Sequence, residues 1–148
     1  MATSPDVQER GNTTFEYRLK INESHLDTFG HVNNAKYLEL FEESRWEMIT
    51  ERGFGLDMIR ATGLGPVILR ADVKFRRELK NRESVVIRTQ LENYEGLVGK
   101  LRQQLFKEDG QLSADALFDI AMWDTKSRKL QKPSDDFLFS ILGARPPA

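Results

Sequence analysis

The chain has 148 residues, with 22 basic and 23 acidic side chains and a formal net charge of −1. That is the size of one ordinary domain, able to bury roughly 70% of the surface its unfolded chain exposes, and its near-neutral charge excludes a general electrostatic attraction to nucleic acid. It contains no cysteine, which excludes disulfides, zinc–thiolate centres, thiol nucleophiles and thiol redox switching.

Residues 1–12 are polar and hold proline and glycine. They are expected to form a disordered tail, leaving 13–148 as a single domain. The opening MATSPDVQERGNTTF lacks an apolar core and carries early acids, so no secretory leader is expected and the compartment is taken as cytoplasmic. No apolar run approaches the ~20 residues that cross a bilayer. From Thr13, TTFEYRLKI alternates, with Phe15, Tyr17, Leu19 and Ile21 on one face. That period of two predicts a strand. NESHLDTFGHVNN then breaks the pattern with turn-forming residues and reads as a loop.

NAKYLELFEESRWEMITERGF carries Tyr37, Leu38, Phe41, Arg45, Met48 and Ile49 at three- and four-residue steps, which predicts a long amphipathic helix. Asn33 or Asn34 supplies its N-cap, and Gly53 ends it. Lys36, Glu39, Glu42, Glu43 and Glu47 form its solvated side. Glu43 or Arg45, beside the apolar stripe, is expected in a buried ion pair. GLDMIRATGLG holds a short helical turn.

After Pro66 the chain reads as strands. PVILRADVKFRREL alternates through Val67, Leu69, Ala71, Val73 and Phe75. ESVVIRTQLENY and LVGKLRQQLFKE follow, split at Glu95-Gly96, and Asp109-Gly110 signals a hairpin. LSADALFDIAMWDT is the last long strand, KSRKLQKP a basic exit, and SDDFLFSILG a final helical turn capped by Ser134. The expected class is α+β: an antiparallel sheet of about five strands, the last four as a meander, wrapped around one long central helix. A bare sheet edge remains, and pairing with a second copy resolves such an edge.

The unusual chemistry is crowded ahead of the long helix. The loop delivers Asp27 close to a helix N-terminus, whose free N–H groups and dipole form an electropositive pocket. Such a pocket stabilises an oxyanion developing on a carbonyl. Gly30 permits backbone geometry closed to other residues, so the loop can fold back over the helix end. A carboxylate beside an oxyanion hole suits hydrolysis of an activated acyl group, with Asp27 attacking directly or activating water. A thioester fits, since its thiolate leaves without strong acid help. Taken alone, a residue like Asp27 is more often a turn or cap residue than a catalyst, one like His31 more often a packed or hydrogen-bonded structural residue, and Asn33 and Asn34 are caps.

LDTFGHVNNAKYLELFEESR resembles the signature of hotdog-fold acyl-CoA thioesterases of the hydroxybenzoyl-CoA thioesterase type, a pattern of roughly D-x-x-G-x-V-x-N-x-x-Y. Asp27, Gly30, Val32, Asn34 and Tyr37 stand in register with it. The strand order extends the likeness from about Phe15 to Pro133. The resemblance implies a hotdog fold and thioester hydrolysis. It implies that Asp27 is the catalytic carboxylate and that the Asn34 amide polarises the carbonyl. Gly30 and the amides after it shape the turn, Asn33 is assigned to substrate binding, and Tyr37 lines or underlies the acyl pocket. His31-to-Tyr37 is also similar to acyl-carrier-protein thioesterases. The plant enzymes of that group carry an asparagine two positions after the aspartate; here the position is Phe29, which is assigned to acyl contact, with His31 in a supporting role. Other hotdog enzymes use a helix glutamate, for which Glu39, Glu42 and Glu43 are candidates.

Coenzyme A carries phosphates and needs cations near the tunnel mouth. By the same resemblance these are Lys100, Arg102 and Arg128. The expected partners are an acyl-CoA substrate and further copies of this chain in a homodimer or homotetramer. Nucleic acid, a membrane, a cofactor and a metal are not expected. The competing readings are an acyl-carrier-protein thioesterase and a non-catalytic hotdog acyl-binding protein. A serine esterase is disfavoured because no G-x-S-x-G elbow occurs.

Overall fold

The computed structural model describes residues 13–143; the tail expected at 1–12 lies outside them. In chain order the elements are β1 (Phe15–Lys20), a single 3₁₀ turn (Glu23–His25), α1 (Asn34–Glu51), α2 (Leu56–Thr62), β2 (Leu64–Phe75), β3 (Ser84–Glu95), β4 (Val98–Lys107), β5 (Leu112–Asp124), β6 (Lys129–Gln131) and α3 (Asp135–Leu142). Among the described residues no helix is long and apolar enough to cross a membrane.

The strands form one antiparallel sheet in the order β1-β3-β4-β5-β2, with β6 on β5. It has six strands where about five were expected, because Lys129–Gln131 of the basic exit folds back onto Met122–Asp124. The expected meander is also corrected. Only β3, β4 and β5 follow one another. β2 crosses to the far side and pairs with β5, from Leu64 opposite Asp124 to Phe75 opposite Ala114. The charged stretch RRELKNRE separates β2 from β3 and offers none of the short turn chemistry that joins adjacent strands. β2 also carries a bulge, its register shifting between Ile68 and Arg70. A bulge reverses the alternation, so Leu69, expected inward, is exposed.

The sheet wraps around α1. The buried helix residues are Tyr37, Leu40, Phe41, Ser44, Met48 and Ile49, which shifts the expected stripe slightly: Leu40 faces the core and Leu38 is exposed. Val32, Tyr37, Phe41, Leu79, Ile87, Leu105 and Phe118 pack around the first half of the helix. Met48, Ile49, Phe54, Leu91, Leu101 and α3 pack around the second. Phe41 meets Phe118 edge-on at 5.8 Å, and Phe54 meets Phe137 at 5.5 Å. α3 covers the open end. Ser134 Oγ caps it by accepting from Phe137 N at 3.2 Å, as expected, and Phe137, Ile141 and Leu142 are buried. Each such side chain contributes about 1.5–3 kcal/mol through removal from water.

Among the described residues one buried side-chain group is unsatisfied. Ser44 Oγ is fully buried and has no hydrogen-bond partner there. Ser44→Ala removes that hydroxyl and raises helix propensity. It is expected to stabilise the fold by about 1 kcal/mol, read as a higher denaturant midpoint with an unchanged slope.

Candidate active site

The segment between β1 and α1 is a small laced loop. Asn22 caps the 3₁₀ turn through Oδ1, which accepts from Ser24 N at 3.0 Å, while Asn22 N donates to His25 Nδ1 at 3.0 Å. His25 thus accepts on Nδ1 and is spent on the turn. Asn33 N then donates to His25 O (3.0 Å), Leu26 bridges Val32, and Asp27 N donates to His31 O (2.8 Å). These contacts form a miniature antiparallel ladder with Phe29 at its tip. Alternation puts Leu26 and Val32 on one face and His25, Asp27, His31 and Asn33 on the other. The first face turns to the core: Val32 is buried, and its N–H donates to Leu79 O at 3.0 Å.

Asp27 is held by its own loop. Its Oδ1 accepts from Phe29 N (2.8 Å) and from His31 N (3.2 Å), while Gly30 N donates to Asp27 O (3.1 Å). Gly30 has φ +83°, and a Cβ there would meet nothing within 4 Å. The requirement for glycine is therefore conformational, since the left-handed region costs other residues roughly 1–2 kcal/mol. Asp27 Oδ2 makes no hydrogen bond to any described residue, leaving one carboxylate oxygen for chemistry. Phe29 projects from the tip, 85% exposed.

Two residues of strand rise, about 7 Å, separate the level of Asp27 from Asn33, the N-cap of α1. Asn33 Oδ1 accepts from Ala35 N at 2.8 Å and Asn33 O from Lys36 N at 2.9 Å. The Asn34 amide opens the helix and belongs to the first-turn donors that have no intrahelical acceptor. One turn in, buried Tyr37 fixes the tip against the sheet. Its hydroxyl lies 3.4 Å from Ser113 Oγ, which donates to Arg77 O at 2.6 Å, and its ring meets Phe75 edge-on at 5.1 Å. Burial pushes the Tyr37 hydroxyl above its usual range, so it stays a neutral strut.

The structure therefore brings Asp27, Phe29, Gly30, His31, Asn33, Asn34 and Tyr37 together. It also adds a residue the sequence did not single out. Glu78, beyond β2, pairs with His31, Oε2 lying 3.1 Å from Nε2. No local spacing links the two; only the placement of β2 brings them together. The cations expected for the nucleotide lie elsewhere. Lys100 pairs with Asp119, and Arg102 with Glu92 and, at 2.8 Å, Asp115. Arg128 sits in the β5–β6 turn, its guanidinium 5.9 Å from the Trp123 ring. That turn is at the far end of β5, since Ala114 pairs with Phe75 near Tyr37 and Asp124 with Leu64. Closer to the loop are Arg76, Arg77 and Lys80, which make no ion pair with any described residue; Lys80 bridges His31 through the backbone. Arg76 and Arg77 line a groove of about 510 Å³ with Phe75.

An antiparallel sheet curled around one long helix is the architecture of the hotdog class. A family model described as the thioesterase-like superfamily matches residues 21–140, and the chain belongs to that superfamily. It is 34% identical over 113 residues to the long-chain acyl-CoA thioesterase FadM of Escherichia coli, covering 76% of this chain and 85% of that protein. The chloroplastic acyl-acyl carrier protein thioesterase ATL3 of Arabidopsis thaliana is 28% identical over 120 residues, 80% of this chain and 63% of that protein. The crystal structure of YbaW from Escherichia coli superposes with a TM-score of 0.76 at 28% identity, covering 86% of this chain and 98% of that one.

Two substitutions separate the loop's architecture from its chemistry. Asp27→Ala removes an acceptor from two amides and is expected to cost about 1–2 kcal/mol. Asp27→Asn keeps an oxygen at that place and is expected to stay within about 0.5 kcal/mol of the parent. Equilibrium unfolding of both variants checks this.

Proposed function

We propose that this chain hydrolyses acyl-CoA thioesters to a free acid and coenzyme A, with Asp27 and the tip of α1 on opposite sides of the thioester carbon. One observation carries the reading: Oδ1 of Asp27 is tied to two amides while Oδ2 bonds to no described residue, on the ladder face that ends at the helix tip. The carbonyl oxygen takes the Asn34 N–H, where the helix dipole stabilises the negative charge that develops there. Asp27 Oδ2 either attacks the carbonyl carbon or removes a proton from the attacking water. The tetrahedral centre then collapses and the C–S bond breaks: where water attacked, this gives the free acid directly; where Asp27 attacked, it gives an acyl–Asp27 anhydride, which water then hydrolyses to the free acid and the restored carboxylate. The thiolate departs and is protonated by solvent. His31, oriented by Glu78, supports the loop and lends polarity to the same face. Phe29 contacts the acyl group.

Arg76, Arg77 and Lys80 receive the phosphates of coenzyme A, because they are unpaired cations beside the loop. Lys100, Arg102 and Arg128 of this reading serve from a second copy. β2 is the end strand of the sheet, and a long exposed edge favours such pairing. FadM, named for long-chain acyl-CoA hydrolysis, supports coenzyme A as the carrier. The likeness to ATL3 favours acyl carrier protein as the second reading; Phe29, where the plant enzymes have asparagine, weighs against their mechanism.

One assay tests the assignment: thiol release from acyl-CoA and from the matching acyl-pantetheine. The parent is expected to cleave both. Asp27→Asn should lower kcat by about 10²–10⁴-fold with little change in KM. Arg76→Ala with Arg77→Ala should raise KM for the coenzyme A ester alone. Parent turnover only on acyl carrier protein would select the second reading, and none on any thioester the non-catalytic binder. Light scattering is expected to give at least twice the mass of one chain; a monomer at working concentration would remove the second-copy cations.

A further inference from the structure

Arg45 is a half-buried cation that forms an ion pair with no described residue. It lies eleven residues into α1 from Asn34, about 16 Å along the axis. Its guanidinium rests 4.6 Å over the Phe118 ring and donates through Nη1 to Gln103 Oε1 at 2.8 Å. Gln103 is fully buried and immobilised: its Nε2 donates to Phe41 O (3.1 Å) and to Thr89 Oγ1 (3.0 Å). The amide oxygen must therefore face Arg45. No described carboxylate pairs with Arg45, against the expectation of a buried ion pair; Glu43 instead accepts from Tyr17 Oη at 2.9 Å, on the exposed side. Burial lowers the Arg45 pKa to about 10, opposed only by exposed Glu42.

The guanidinium has five N–H donors, and the described residues engage one of them. It opens onto a cleft of about 340 Å³ between α1 and β2, lined also by Trp46, Met48, Ile49, Val67 and Ile68, with Glu42 at the edge. Phe75 meets Tyr37 at the start of α1, and Val67 and Ile68 share this cleft with Met48 and Ile49 near its end. The two elements therefore run side by side, and the cleft lies on their seam, away from the catalytic loop. A methionine would pack on Phe118 equally well without the desolvation cost of a charge. A rigidly held, unneutralised guanidinium in an otherwise apolar wall is complementary to a carboxylate.

We propose that this cleft receives the distal end of the acyl chain and that Arg45 is a specificity-determining residue for chains ending in a carboxylate about a dozen carbons from the thioester. The inference rests on the thioesterase reading and narrows its substrate class to ω-carboxyacyl thioesters. Glu42, the other charged group facing the cleft, is solvated at the rim, and its side chain accepts from Trp46 Nε1 at 3.4 Å. It offsets the charge of Arg45 only from a distance and forms no ion pair with it.

Two measurements test it. The first compares kcat/KM for dodecanoyl-CoA and its ω-carboxy counterpart. The parent is expected to favour the carboxylate by about tenfold or more, the scale of a charge-assisted hydrogen bond. Arg45→Met should erase that preference while leaving the plain chain hydrolysed. A parent preference for the plain chain, or a ratio unchanged in Arg45→Met, overturns the proposal. The second needs no turnover: calorimetric binding of dodecanoate against dodecanol. The parent is expected to bind the carboxylate about tenfold more tightly, and Arg45→Met to bind both alike; equal binding by the parent overturns it. Should neither ester be hydrolysed, the catalytic reading fails, and the binding measurement still decides the role of Arg45. Arg45→Lys, which keeps the charge and loses the fork, should retain part of the preference and controls for folding.

Discussion

The burial of one stripe of α1 against a curled sheet is the constraint on which everything else depends. Tyr37, Leu40, Phe41, Ser44, Met48 and Ile49 must all face inward, and that requirement fixes the helix in rotation. With the rotation set, the position of its N-terminal tip is set too. Tyr37 then locks the first turn to Ser113 and Phe75. The tip is thus an outcome of core packing, and the electropositive end of the helix is held still without spending any side chain of the loop.

The Asp27 loop solves a complementary problem. A flexible carboxylate near a helix terminus would simply cap it and neutralise the pocket. Here Asn33 already performs the capping. The amides of Phe29 and His31 hold one oxygen of Asp27 inside the loop. Val32 anchors the loop from below, and the Glu78–His31 pair holds it from the side. The carboxylate is therefore positioned by backbone geometry, which varies less than a side-chain rotamer. Preorganisation of this kind lets fixed dipoles act on a transition state without rearrangement.

Much of this was legible in one chain of letters, because its signals are local. The Asn33 cap, the periodicity of α1, the Asp109-Gly110 turn and the Ser134 cap each depend on neighbours within a few residues. The alternation of β5 holds for Ala114, Ala116, Phe118, Ile120 and Met122, all buried, while Leu112 at its start is half-buried. What failed was non-local. The position of β2 beside β5 follows from a crossover, and no turn residue announces one. The bulge that exposes Leu69 inserts a single residue without compositional signal. Lys100 and Arg102 looked like free cations because their acids, Asp119, Glu92 and Asp115, stand opposite them only once the register is known. Arg45 looked like half of an ion pair for the same reason: its real partner, Gln103, is neutral and lies on β4.

Asn34 at the tip and Arg45 about three turns on both belong to α1, with Tyr37, Leu40 and Phe41 packed into the core between them. The helix tip and a half-buried cation on one rigid rod share a frame of reference. Core packing, rather than loop chemistry, holds the distance between them constant. The account's central claim concerns the first of these two points. It is tested most directly by a crystal structure of the protein with a non-hydrolysable acyl-CoA analogue. The account predicts the carbonyl oxygen within hydrogen-bonding distance of Asn34 N and the carbonyl carbon facing Oδ2 of Asp27. A carbonyl bound elsewhere, with the Asp27 carboxylate turned to solvent, would contradict it.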